Sequence, residues 1–434
     1  MQTPKSGNAC APSRTAARFW AFTLLTVLLS IAGGGCGSVG TSGEGQGKIA
    51  FSAPVDGASR LVIVNADGSG KPTVAPDATG VQFPIWSPDG SKIAFYDSGS
   101  ASTYISAVRA DGSHYIRLLD DQNSGHPFIW SADGGQLAYV AADPHRDLFM
   151  PAIFVVRDDG TRRRMLFDGA FPSWSPDGRT IAFLRCPFIR VINSDGTGER
   201  KLIRFNGSTD VNGFTDCADY PDEYVGILWS ADSRKVAYTT SFWKNPKRSC
   251  ESSGNCDYID PETNTELCRL HIIRVREGSE VEVVGGGLLG KFDNQCDISW
   301  APDGKKLAFT RNGFVYSVTA DGRRERRLAR GLAPSWSPDG NHIAFIRNGT
   351  IYVLDVQRHE ERRVARADEL SWSPDGKALV VAHAIKPPAQ DDQGGYEPGQ
   401  YVIETIDASN GHVRKIWPKV GTCDCGLPPA WQPR

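Results

Sequence analysis

The sequence predicts an all-β protein, an eight-bladed β-propeller with four antiparallel strands per blade, a seven-bladed ring being the alternative. Three observations predict it. A tryptophan-centred unit recurs along the chain, and one form of it, PSWSPDG, is spelled identically at Pro172–Gly178 and Pro334–Gly340. Each unit reads as strand, tight turn and returning strand. The 434 residues include 46 Gly and 27 Pro, a composition that suits many turns more than long helices.

The elements follow in chain order. Residues 1–35 differ from the rest: Lys5, Arg14 and Arg18 precede a mostly apolar run, Phe19 to Ala32, which meets Gly33, Gly34, Gly35 and Cys36. The run is short for a membrane span, which needs about 20 residues. It fits the apolar region of a secretory signal. The small residues before Cys36 resemble a bacterial lipobox, with Gly33 in place of the usual aliphatic residue. That resemblance implies cleavage before Cys36, lipidation of its thiol, and an exported, membrane-anchored protein of the cell envelope. Residues 36–47 are rich in Gly and Ser and read as a flexible tether. Residues 48–434 read as the propeller.

Eight related segments centre on Trp86, Trp130, Trp174, Trp229, Trp300, Trp336, Trp372 and Trp431, spaced 36 to 71 residues apart. The eighth is split: PAWQPR lies at the C-terminal end and GKIAF at Gly47–Phe51. In each segment Trp and its apolar neighbours form a strand. Ser-Pro-Asp-Gly is a turn in which Pro sets φ, Asp bonds its own backbone and Gly takes positive φ. Ile-Ala-Phe returns as a strand covered on both faces, its small Ala leaving room for a ring from the adjoining sheet. Third strands such as Ile351-Tyr352-Val353, second turns such as Thr319–Gly322 and fourth strands such as Arg327-Leu328-Ala329 complete the unit. Each buried Trp then contributes about 4–6 kcal/mol gross, an upper bound. The split repeat closes the ring with both ends of the chain and removes the open edge of a linear array.

The unit W-S-P-D-G-x-x-[IL]-A-[FY] resembles the WD40-like repeats of the TolB-like propeller family, over nearly everything after residue 47. The resemblance implies the fold. Such propellers act as binding platforms, as accessory domains of enzymes and as envelope proteins without an assigned role.

Strand order sorts the connections. Both short turns lie on one face. The long connections, Ala141–Pro151, Asn206–Gly226, Ser241–Leu267 and Ile385–Gly399, lie on the other, where binding usually resides. In or beside them fall Cys186, Cys217, Cys250, Cys256, Cys268, Cys296, Cys423 and Cys425, an even set that suggests disulfides in an exported chain. Pairing of Cys186 with Cys217, and of the next four among themselves, is expected. Asp210, Asp216, Asp219, Tyr220, Asp222, Glu223 and Tyr224 form an acidic, aromatic-studded candidate binding surface. Basic runs at Arg162–Arg164, Arg323–Arg327 and Arg362–Arg363 belong to the outermost strands, where charge discourages edge pairing.

No motif supplies chemistry. Gly68-Ser-Gly-Lys71 lacks the first glycine of a phosphate loop, no Gly-x-Ser-x-Gly elbow occurs, and His359-Glu360-Glu361 lacks a second histidine. No hydrolase domain is expected after Trp431. Cysteine and histidine spacing supports no metal site, and no cofactor is expected. Net charge is −2, without the basic balance of a nucleic-acid binder. The expectation is a non-catalytic binding platform, acting as a single copy on an envelope protein or extracellular ligand. The alternative is a propeller enzyme, a hydrolase or lyase acting on a cell-envelope or extracellular polymer.

Overall fold

The computed structural model describes residues 47–433 except 57, 76, 99–102, 121–127, 143–150, 186–187, 205–226, 244–247, 251–255, 259–265, 277–278, 283–297, 368, 387–388, 391–395, 398–399 and 423–429. Eight four-stranded antiparallel sheets form the blades, and no helix occurs among the described residues. Eight blades, not seven, close the ring.

Blade 7 shows how sequence becomes sheet. Leu332–Trp336 is the inner strand and His342–Arg347 pairs with it across the Ser337–Gly340 turn. Thr350–Asp355 and Glu360–Arg366 follow outward. The inner strands of blades 2 to 6 end at Trp86, Trp130, Trp174, Trp229 and Trp300, and that of blade 8 at Trp372. Blade 1 is composite: Lys48–Val55, Ala58–Asn65 and Thr73–Val74 take their inner strand, Ala430–Trp431, from the other end of the chain. Two further strand pairs, Arg248–Cys250 with Cys256–Tyr258 and Ala389–Gln390 with Tyr396–Glu397, arise within the two-to-three connections of blades 5 and 8.

Packing between blades rests on the Trp and Ala of the repeat. Ala50, Ala94, Ala138, Ala182, Ala237, Ala308 and Ala344 have no exposed surface. Each lies in one apolar cluster with the tryptophan of the following blade: Ala94 with Trp130, Ala138 with Trp174, Ala344 with Trp372. Blade 8 carries Val380 there, beside the half-buried Trp431. A small residue under a large ring is the volume complementarity that dense packing requires.

Candidate functional site

The site is built from the ring inward. Six indole N–H groups donate to a backbone carbonyl of the preceding inner strand: Trp86 to Ala430, Trp130 to Ile85, Trp229 to Ser173, Trp300 to Leu228, Trp372 to Ser335 and Trp431 to Ser371, at 2.9–3.2 Å. The acceptor is always the residue before the preceding tryptophan. These bonds satisfy a buried polar atom and set the angle between blades. They fix the frame around the central opening.

The face bearing the short turns is committed to that frame. Each turn serine donates to the turn aspartate, as Ser131 to Asp133 and Ser175 to Asp177 at 2.6 Å. The same carboxylate accepts a backbone N–H two residues on, as Gly135 to Asp133 at 3.0 Å. The Ser131 hydroxyl and the Gly135 N–H hold Asp133 below the usual carboxylate range. For Asp89 partial burial pushes the other way, but the Ser87 and Ser91 hydroxyls outweigh it and the net shift is downward. In the second ring of turns the Ser113 hydroxyl and N–H lower Asp111, and those of Thr161 lower Asp159. Carboxylates tied in this way are poor proton carriers near neutral pH.

Side chains on this face also fasten neighbouring blades. Lys48 Nζ donates to the Ala110 carbonyl at 2.9 Å, and Lys92 pairs with Asp158. Arg164 donates to the carbonyls of Ser194 and Asp195 at 3.0 Å, Arg200 to that of Val275 at 2.6 Å and Arg414 to that of Asp67 at 3.0 Å. Arg362 does the same to Ser409. The outermost strands carry only part of the basic runs: Arg164, Arg326, Arg327, Arg362 and Arg363 lie on them, whereas Arg162, Arg163, Arg323 and Arg324 lie in the preceding turns, and Arg164 and Arg362 are clips from one blade to the turn of the next. Sequence reasoning missed this, because the acceptor is a backbone carbonyl without a sequence signature.

The opposite mouth is where the inner strands begin and the long connections leave. Three inner strands are bulged there. Phe83, Phe171 and Ala333 each precede a proline with φ of 51–52°, a conformation that side chains before proline rarely adopt. The ladder skips from Gln82 to Ile85, from Ala170 to Ser173 and from Leu332 to Ser335. Leu332, 43 % exposed, is one of two large apolar side chains standing free in solvent among the described residues. Backbone strain of this kind gathers at sites that must hold a fixed shape. In blade 2, Asp97 is buried near the same end, its oxygens accepting the Thr79 N–H at 3.1 Å and the Tyr115 hydroxyl. Burial first, and then the bond to Asp97, raise Tyr115. Arg117 Nε donates to the Tyr115 oxygen at 3.1 Å. The cluster ties the incoming connection to its blade.

The candidate binding residues Asp210, Asp216, Asp219, Tyr220, Asp222, Glu223 and Tyr224 lie outside the described residues, as do Cys36, Cys186, Cys217, Cys296, Cys423 and Cys425. The ends of the connection are placed: Arg204 ends blade 4 and Ile227 opens blade 5 at this mouth. Cys250 and Cys256 are directly opposed in their strand pair, and Cys268 is opposite Ser241 in blade 5. Among the described residues no three His, Cys, Asp or Glu side chains are grouped to hold a metal ion.

The structure defines an all-β eight-bladed propeller. No family model matches the chain. The chain is similar to dipeptidyl-peptidase 5 of Porphyromonas endodontalis, 24 % identical over 201 residues, which is 39 % of this chain and 26 % of the relative. In structure it is similar to dipeptidyl peptidase 4 of Porphyromonas gingivalis, with a TM-score of 0.53 and 17 % identity over 78 % of this chain and 53 % of that one. A eukaryotic initiation factor aligns with a TM-score of 0.50 and 12 % identity over 90 % and 99 %. At these identities the structural likenesses establish the fold. The match to dipeptidyl-peptidase 5 covers about a quarter of that relative's length. It overturns the expectation of a non-catalytic platform and backs the alternative, a propeller enzyme, better. The physical reason is that a ring assembles neighbours from distant blades, so a missing contiguous motif argues little against catalysis.

Proposed function

We propose that this chain is the propeller of a hydrolytic enzyme of the cell envelope whose substrates are peptides. The observation that carries the reading is the sequence match to dipeptidyl-peptidase 5. Substrate would enter at the mouth where the inner strands are bulged and the long connections leave. The short-turn face is less suited, because its turn aspartates are bonded within their turns and cations such as Arg164 and Arg414 are bonded to the next blade. Nucleophilic and acid–base groups would come from connections such as 143–150, 205–226, 283–297 and 391–395. Asp216, Asp219 and Glu223 are the first to substitute. Export, lipidation of Cys36 and oxidised cysteines belong to the same proposal.

The test is turnover of a panel of fluorogenic dipeptide substrates, beside cell-wall and polysaccharide polymers, by the purified full chain. Release of dipeptides, lost on substituting connection residues and kept on substituting Asp133 or Asp159, supports the proposal. Cleavage of a polysaccharide alone, or peptide release unchanged by every substitution in the connections, defeats it.

A further inference from the structure

We propose that the outer wall of blades 6 and 7 binds a linear acidic polysaccharide, at a surface separate from the mouth. The near-neutral net charge conceals a segregation. Carboxylates collect in the short turns, whereas Arg326, Arg327, Arg330 and Arg363 are exposed on two adjacent outermost strands, Arg326–Arg330 and Glu360–Arg366, with Arg324 and Arg358 exposed in the turns that lead into them. Arg358 pairs with Asp355 at 3.9 Å, but the acids nearest the other five are engaged elsewhere. Glu325 is bonded by Arg311 and Glu361 by Arg347, both from the second strands of their own blades.

Three observations choose among polyanions. First, neither outer strand contains a lysine. Arginine offers a planar fork that meets carboxylates in two parallel bonds, whereas a diffuse membrane field is met equally well by lysine. Second, the forks are held in place. Arg327 lies over Phe314 at 4.8 Å, and Arg326 meets His359 of the next blade at 2.9 Å. Pre-set side chains lose less freedom on binding a repeating, extended ligand. Third, the two rows run side by side along neighbouring blade edges of a convex wall. A linear chain can follow them from one blade to the next. Neither strand exposes a large apolar side chain to insert into lipid.

The test measures retention of the purified full chain on immobilised alginate. Neutral pullulan, vesicles with 30 % phosphatidylglycerol (about a third anionic lipid, enough for electrostatic docking) and a short DNA duplex serve as comparison ligands. Retention on alginate that weakens with salt is expected. The triple variant Arg324→Ser, Arg327→Ser, Arg363→Ser should lose affinity about tenfold or more, as charged contacts of this kind predict. Arg162→Ser, Lys201→Ser, Arg204→Ser, on blades 3 and 4, should change it less than about twofold. The corresponding triple Arg→Lys variant keeps the charge and the fold and should still lose several-fold. The proposal is overturned by absent retention, by equal loss in the blade 3 and 4 variant, by lysines binding as well as arginines, or by preference for vesicles or DNA over alginate.

Discussion

Trp431 lies directly opposite Ile49 in one antiparallel sheet, the two ends of the propeller sharing blade 1. The Lys48 N–H donates to Gln432 Oε1 across 384 positions of sequence, and Gln432 Nε2 reaches the Gly90 carbonyl of blade 2 at 2.7 Å. The ring is closed by side chains as well as by the sheet. Replacing Trp431 by Ala should destabilise the whole propeller by about 2–4 kcal/mol, somewhat less than the 3–5 kcal/mol expected for the fully buried Trp174. Urea titration of both variants checks the order, and a Trp431→Ala midpoint equal to wild type would show that closure does not stabilise the ring.

Two tryptophans that look alike in sequence should differ in what their nitrogen contributes. Trp229 Nε1 donates to the Ser173 carbonyl at 2.9 Å, whereas Trp174 Nε1 is buried without a hydrogen-bond partner among the described residues. Trp229→Phe should therefore cost about 1–2 kcal/mol more than Trp174→Phe, since it strands a buried carbonyl. Equal losses in denaturant would contradict the assignment.

Acid should loosen the short-turn face. The folded pKa values of Asp89, Asp111, Asp133 and Asp159 lie below their unfolded values. Their contribution is fully present above about pH 4 and is lost as pH falls through the depressed folded values. Thermal midpoints should stay level down to about pH 5 and then drop, and Asp133→Asn should make the drop shallower. A midpoint that rises on acidification would reverse the sign of the argument.

Glycines at the bulges should resist substitution where those in open turns do not. Gly331 has φ of +151°, and a Cβ there would stand 2.4 Å from the Phe345 ring and 2.9 Å from the Ile346 carbonyl. Gly411, at φ of +76°, would bring its Cβ within 4 Å of nothing. Gly331→Ala should cost about 2–3 kcal/mol or more, against about 1 kcal/mol for Gly411→Ala. Chemical denaturation of the two variants decides it.

Anchoring is tested apart from folding. Cys36→Ser should move the protein from the detergent phase of a membrane extraction to the soluble fraction. Identical partitioning of variant and parent would remove the lipid anchor from the proposed function.

The repeat was legible because each copy encodes its own local structure. Pro176, Asp177 and Gly178 specify a turn through φ and through bonds within a few residues, and the small Ala182 announces the space that Trp229 fills. The split eighth repeat, and with it ring closure, followed from counting those copies. What the sequence could not carry depends on distance across the closed ring. Arg164 and Arg414 look like surface charge until the next blade presents a carbonyl to each. Phe83 and Phe171 look like ordinary strand residues until pairing with the neighbouring strand forces the bulge. Asp97 and Tyr115 meet only once blade 2 has folded. The functional reading failed for the same reason. Catalytic groups in a ring need no shared motif, and only the likeness to an enzyme turned the platform into a candidate enzyme.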